Sequence, residues 1–133
     1  MFSPFQNTWD LSCSEHLTPG ETYEEAVLRG LHEELGLGSS SSTSPSTAPA
    51  IFITRVVPSF LQSIKYNDIG VWDQEFVEIW EAHSDAPIQP DGKEVVEVKW
   101  VNMQELYEDI LDRSSQYAPW LLDSLARYRI AVE

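Results

Sequence analysis

HLTPGETYEEAVLRGLHEELGL, residues 16–37, carries two signals at once: a helix and a crowd of carboxylates. Tyr23, Ala26, Val27, Gly30, Leu31 and Leu35 recur at the spacing that puts them on one helix face. Thr22 followed by Glu25 is a capping-box pattern, and Gly36 stands where such a helix stops, so the spacing predicts a helix over Thr22–Leu35. Glu33 and Glu34 then fall in its last turn, where the macrodipole is negative and each carboxylate is disfavoured by about 0.3–1 kcal/mol. Glu21 stands just ahead of the helix, behind Pro19 and Gly20, in a turn that folds back alongside it. Arg29, one turn before Glu33, neutralises only part of this charge. A hard divalent cation takes several oxygen ligands and keeps water, which makes Mg (or Mn) the natural remaining counter-charge. Such an ion can bridge a diphosphate and acidify a bound water. The bland alternative for Glu33 and Glu34 is a solvated helix face.

The same stretch resembles the Nudix box, Gly-x5-Glu-x7-Arg-Glu-aliphatic-x-Glu-Glu-x-Gly-aliphatic. Without gaps, Glu21, Arg29, Leu31, Glu33, Glu34, Gly36 and Leu37 fall on its marks, a far more specific signal than a lone glycine motif. The chain departs from it twice: Glu15 stands where the first Gly belongs, and Gly30 where the Glu after Arg belongs. In many Nudix hydrolases that Glu binds metal or acts as general base, and a glycine does neither. A closer resemblance is to isopentenyl diphosphate isomerases and their Nudix relatives, which carry a Trp seven residues before a His and then Gly-Glu, here Trp9, His16 and Gly20-Glu21. Those isomerases also lack the Glu at the position of Gly30. Their acidic-x-Glu triplet ahead of a strand corresponds to Asp73-Gln74-Glu75, and the resemblance implies that Glu75 is catalytic and binds metal. The isomerase cysteine two residues before the His is here Ser14, with Cys13 displaced by one. A hydroxyl is a far weaker acid than a thiol, so isomerase proton transfer at Ser14 would be impaired.

The resemblance runs from Trp9 to the neighbourhood of Trp120. Because the chain enters almost directly at the box, it reads as a member short at the N-terminus, without the early strands and metal-binding histidines of the isomerases. SSSSTSPSTAPA, residues 39–50, has no charge and no large side chain, and it reads as a low-complexity insertion in a surface connection. Beyond it, Ile51–Val57, Glu75–Ala82 and Glu94–Val101 are strand candidates. Asn102 with Glu105 opens a second helix through Asp112, and Tyr117–Tyr128 is a third helical stretch with Pro119 in its first turn. The expected fold is therefore α+β: one Nudix-like αβα layered domain over residues 1–133, with a mixed central sheet that lacks the early strands.

Composition narrows the function. The chain has 133 residues and a formal net charge of −14, a field that repels phosphate backbones and argues against unaided nucleic-acid binding. Its single cysteine excludes an internal disulfide and fits a reducing, cytoplasmic setting. No apolar run approaches the roughly 18 residues of a membrane span. The resemblance implies a Mg-dependent hydrolase of a small diphosphate-containing substrate, a nucleoside diphosphate linked to another moiety. Glu33, Glu34, Glu75 and Glu21 would hold metal, with Arg29 orienting them and Glu75 the candidate general base. His16 and Trp72 are candidate substrate contacts; their bland alternatives are a loop histidine bonded to backbone and a core tryptophan. Trp80, Trp100 and Trp120 read as core, Cys13 as a small buried hydrophobe, and Glu94, Glu97 and Glu105 as solvated faces. An isomerase-like protein and a degenerate domain that only binds a ligand or partner are the other readings.

Overall fold

The computed structural model describes residues 8–38, 51–66 and 70–132; the insertion at 39–50 lies outside them. Its elements are helix α1 (Tyr23–Leu35), strands β1 (Phe52–Tyr66) and β2 (Val71–His83), helix α2 (Met103–Arg113), a 3₁₀ turn at Ser114–Gln116 and helix α3 (Pro119–Val132). β1 and β2 pair antiparallel as a two-stranded sheet, which gives an α+β architecture. The parallel pairing of a mixed sheet is reduced, among the described residues, to an isolated bridge between Trp9 and Tyr117. Both strands run longer than their apolar cores suggest. β1 passes through Pro58, which is tolerable because each strand of a two-stranded sheet has a free edge.

The described residues group into two compact units. In the unit that holds α1, Thr22 caps the helix: its hydroxyl oxygen accepts from the Glu25 N–H at 3.1 Å and its O–H donates to the Glu25 carboxylate at 3.0 Å. The helix ends at Gly36, in the left-handed region at φ 67°. There the Gly36 and Leu37 N–H groups turn back to the carbonyls of His32 and Leu31, each at 3.1 Å. Two further end carbonyls are taken by a distant segment, as the Gln89 N–H donates to Leu35 at 2.8 Å and the Asp91 N–H to Glu34 at 3.0 Å. Buried Leu31, Leu35 and Leu37 form the core of this unit, covered by Val27, Ile53, Ile88, Val95 and Val98 among others.

The third expected strand, Glu94–Val101, is not one. Its residues carry no ladder among the described residues. The Asp91 carboxylate takes the N–H groups of Lys93 and Val95, each at 2.9 Å, and the Gly92 N–H closes the turn on the Val95 carbonyl at 2.9 Å. Local side-chain bonds of this kind compete with a strand ladder. Val95 and Val98 then face the core three residues apart, a spacing no flat strand allows, while Val96 is 80% exposed.

In the other unit, Tyr117, Ala118 and Leu121 form the core, with Trp9, Leu106, Ile110, Trp120 and Leu125 packed on them. Asn102 caps α2, its side-chain oxygen accepting from the Gln104 N–H at 2.9 Å. The Tyr117 hydroxyl donates to Asp109 at 2.6 Å and the Trp120 indole N–H to Asp10 at 2.6 Å. Pro119 opens α3, where its missing N–H costs nothing. The tryptophans divide: Trp120 packs on this core as expected, whereas Trp72 and Trp100 are exposed.

Candidate functional site

The site grows from one arginine and one glycine of α1. Every nitrogen of the Arg29 guanidinium is used: Nε and Nη2 grip the Glu21 carboxylate at 2.8 and 3.0 Å, and Nη1 reaches Glu15 at 3.1 Å and Glu33 at 3.3 Å. Nη2 also donates to the His16 carbonyl at 2.8 Å. This bidentate geometry clamps the segment 15–21 against the helix. Glu21 is further fixed by accepting from the Thr18 N–H at 3.0 Å, in the turn through Gly20 at φ 81°. The hydrogen bonds from Arg29 come first and those from the Thr18 backbone second among the causes that hold the Glu21 carboxyl down at about 2, against an ordinary 4.5.

A carboxylate whose folded value is depressed stabilises the fold above its unfolded value and loses that contribution as the pH falls toward its folded value. The Glu21–Arg29 pair therefore contributes fully above about pH 4.5 and is lost on the way down to about pH 2. In Arg29→Met that acid-labile part is missing, so urea midpoints measured across this window fall less steeply than in the parent. Parallel curves for the two proteins would contradict the clamp.

Beside the clamp, Glu34 is buried, 5% exposed. It accepts from the Cys13 thiol at 2.8 Å. Glu15, Glu34 and Glu94 each bring a carboxylate oxygen within 4.8 Å of the others. Burial first, then Glu15 beside it and Glu94 beyond, push the Glu34 carboxyl up to about 7, against the opposing pull of the Cys13 hydrogen bond. Burial, with Glu34 and Glu15 as neighbours, likewise raises the Cys13 thiol well above its usual range. Arg29 reaches Glu15 in this group, through Nη1. A family profile of the NUDIX domain matches residues 2–121 of the chain.

The chain belongs to the Nudix family. The match takes in residues of both compact units. Among curated proteins the chain is similar to isopentenyl-diphosphate Delta-isomerase of Cereibacter sphaeroides, 31% identical over 125 residues that make up 90% of this chain and 62% of that one. It is 30% identical to the enzyme of that name from Dinoroseobacter shibae, over 90% of this chain and 62% of the relative. For the Kocuria rhizophila protein of that name the identity is 30%, over 88% of this chain and 58% of the relative. The chain thus spans about three-fifths of the length of the curated relatives it matches. The Nudix resemblance of isomerase-like type and the α+β fold read from the sequence both hold.

In this Nudix domain the acidic group around Glu34 differs in membership from the one the box spacing suggests. Glu34 is in it. Glu21 spends both oxygens on Arg29, and Glu33, with its side chain 55% exposed, also faces Arg29. Glu15 and Glu94 take part instead. Glu94 reaches the helix end because the 89–91 segment docks on the α1 carbonyls, a tertiary event with no sequence signal. Glu15 did leave one, as the charged residue at a glycine position of the box. The donor set is all oxygen and all anionic, which suits Mg²⁺ or Mn²⁺ and not a soft metal. Family membership carries divalent-metal chemistry with it as the usual case, and the residues present fit such an ion.

Glu75 is half-buried on β2 and Trp72 is exposed there, its indole N–H donating to Ser63 at 2.5 Å. His16 is exposed, its carbonyl held by Arg29. Ser14 is exposed, and it is the neighbouring Cys13 that meets Glu34. No helix among the described residues is long and apolar enough to cross a membrane.

Proposed function

We propose that the chain is a Mg- or Mn-dependent Nudix hydrolase, acting in the cytoplasm on a small molecule that contains a diphosphate, such as a nucleoside diphosphate linked to another moiety. The observation that carries this reading is the crowding of two further carboxylates, Glu15 and Glu94, around buried Glu34. Carboxylates brought this close in a partly dry place are costly to ionise together, so Glu34 holds its proton more tightly than usual, and a cation that replaces the proton lets all three ionise. A divalent ion there would supply Lewis acidity toward a phosphoryl oxygen and a more acidic water. Glu34, Glu15 and Glu94 would hold it. Glu33 and Glu21 keep their place in the proposal through Arg29, which fixes the segment from which Glu15 projects. Glu75 as general base and metal contact, and His16 and Trp72 as substrate contacts, rest on the sequence pattern alone. The net charge of −14 fits a small ligand that arrives with its own cation, and not a nucleic acid.

A second reading has its own observation. The relatives are named isopentenyl-diphosphate Delta-isomerase, and Cys13, displaced by one residue from the isomerase position, donates to Glu34. An isomerase-like reaction would need a proton carrier at the isomerase cysteine position, where this chain has Ser14, a far weaker acid than a thiol; that substitution is the ground for placing hydrolysis first. Incubation with Mg²⁺ and a panel of nucleoside-diphosphate conjugates and isoprenoid diphosphates, followed by ³¹P NMR, separates the readings. The expected result is cleavage at a phosphorus–oxygen bond. An isomerised diphosphate with every phosphorus–oxygen bond intact would transfer the protein to the isomerase class, and saturable Mg-dependent binding without turnover would make it a degenerate binding domain.

A further inference from the structure

The chain departs from the Nudix box at Glu15 and Gly30, and the fold puts these two residues in contact. A Cβ built on Gly30 would lie 2.6 Å from the Cγ of Glu15 and 2.8 Å from the Sγ of Cys13. Real side chains do not tolerate such distances, so residue 30 can be nothing larger than glycine while Glu15 keeps its place. The φ of Gly30 is ordinary and helical, so backbone freedom is not what requires glycine there. Glycine within a helix costs about 1 kcal/mol relative to alanine. The cleared space is filled by the Cys13 sulfur and by the stem of Glu15, which is steadied by Arg29 at 3.1 Å and aimed at the group it shares with Glu34 and Glu94.

We propose that Glu15 is a cation-holding residue of this site, admitted by Gly30, so that a carboxylate absent from the helix at position 30 is delivered from the preceding loop. The proposal rests on the metal-dependent reading above. It makes the two departures from the box one coupled change, and it gives the site a ligand that arrives on a segment held by the Arg29 clamp.

The test uses the full chain and Mn²⁺ alone, with free ion followed by electron paramagnetic resonance and folding by circular dichroism and thermal midpoint. The parent binds Mn²⁺ saturably. Glu15→Gln, which keeps shape and loses charge, binds about 10–100-fold more weakly with an unreduced thermal midpoint. Gly30→Ala, which brings no charge but displaces the Glu15 stem, also binds more weakly; in a Glu15→Gly/Cys13→Ala background, which clears both side chains the new methyl would meet, the same substitution adds no further loss. Glu15→Gln with the parent's affinity overturns this proposal and leaves the cation reading standing. An additive cycle overturns the coupling. Absence of saturable Mn²⁺ binding in the parent overturns both. Should Gly30→Ala fail to fold, the Glu15→Gln affinity decides.

Discussion

Glu34→Gln lowers Mg-dependent cleavage of a diphosphate substrate by about 10²–10³-fold while the protein stays folded. The magnitude is that of losing several kcal/mol of transition-state charge stabilisation, at about 1.4 kcal/mol per decade of rate. The substitution keeps the volume and one carbonyl oxygen, so the Cys13 thiol retains an acceptor at the position it now meets at 2.8 Å. What disappears is the buried ionisable group that crowds against Glu15 and Glu94. In the absence of metal the variant therefore matches or exceeds the parent in thermal midpoint, because the repulsion within the group is relieved. The parent gains stability on adding Mg²⁺, as any ligand that binds the folded state stabilises it, and Glu34→Gln does not. Initial rates against Mg²⁺ concentration and melting curves with and without the ion check both halves. Unchanged turnover would remove Glu34 from the chemistry.

Leu35→Ala costs about 2–5 kcal/mol of folding stability, the range for emptying a buried leucine site. Leu35 is 2% exposed, in the last turn of α1, and packs with Leu31 and Leu37 at the centre of its unit. A whole domain is stable by only about 5–15 kcal/mol, so this one substitution removes a large part of the margin. The surrounding backbone has little freedom to collapse into the cavity, since the Leu35 carbonyl accepts from the Gln89 N–H and a Cβ added to Gly36 would already lie only 3.1 Å from the Gln89 Cβ. Leu111→Ala on α2, where the leucine is 85% exposed, is the matched control and changes stability by less than about 0.5 kcal/mol. Urea unfolding of the three proteins checks the pair, and equal midpoints for Leu35→Ala and Leu111→Ala would contradict the assigned core.

The helix at the heart of the site was legible because its signals are local. Thr22, Glu25 and Gly36 act within a few residues of themselves, and the period of Ala26, Leu31 and Leu35 needs no partner to be seen. α2 and α3 were legible for the same reason, through Asn102 and Pro119. The strand expected at Glu94–Val101 failed at its start, where local bonds outcompeted the ladder: Asp91 holds the Val95 amide and the Gly92 N–H takes the Val95 carbonyl. In the site, Arg29 and Glu34 stood on their marks in the sequence. The partners of Glu34 did not, because Glu94 is brought from far along the chain by the docking of Gln89 and Asp91 on α1, and Cys13 by the passage of its loop over Gly30. Glu15 and Gly30 were visible as irregularities. Their meaning required the distance between them.

The most direct measurement is a Mn²⁺ titration of the full chain, with the free ion read by electron paramagnetic resonance, alongside Glu34→Gln and the exposed-acid control Glu105→Gln. If a divalent cation is what holds Glu15, Glu34 and Glu94 together, the parent and Glu105→Gln show the same saturable site and Glu34→Gln lacks it. Weak, unsaturable uptake that is the same in all three proteins would contradict the account, leaving Glu34 a buried acid with no ion to serve.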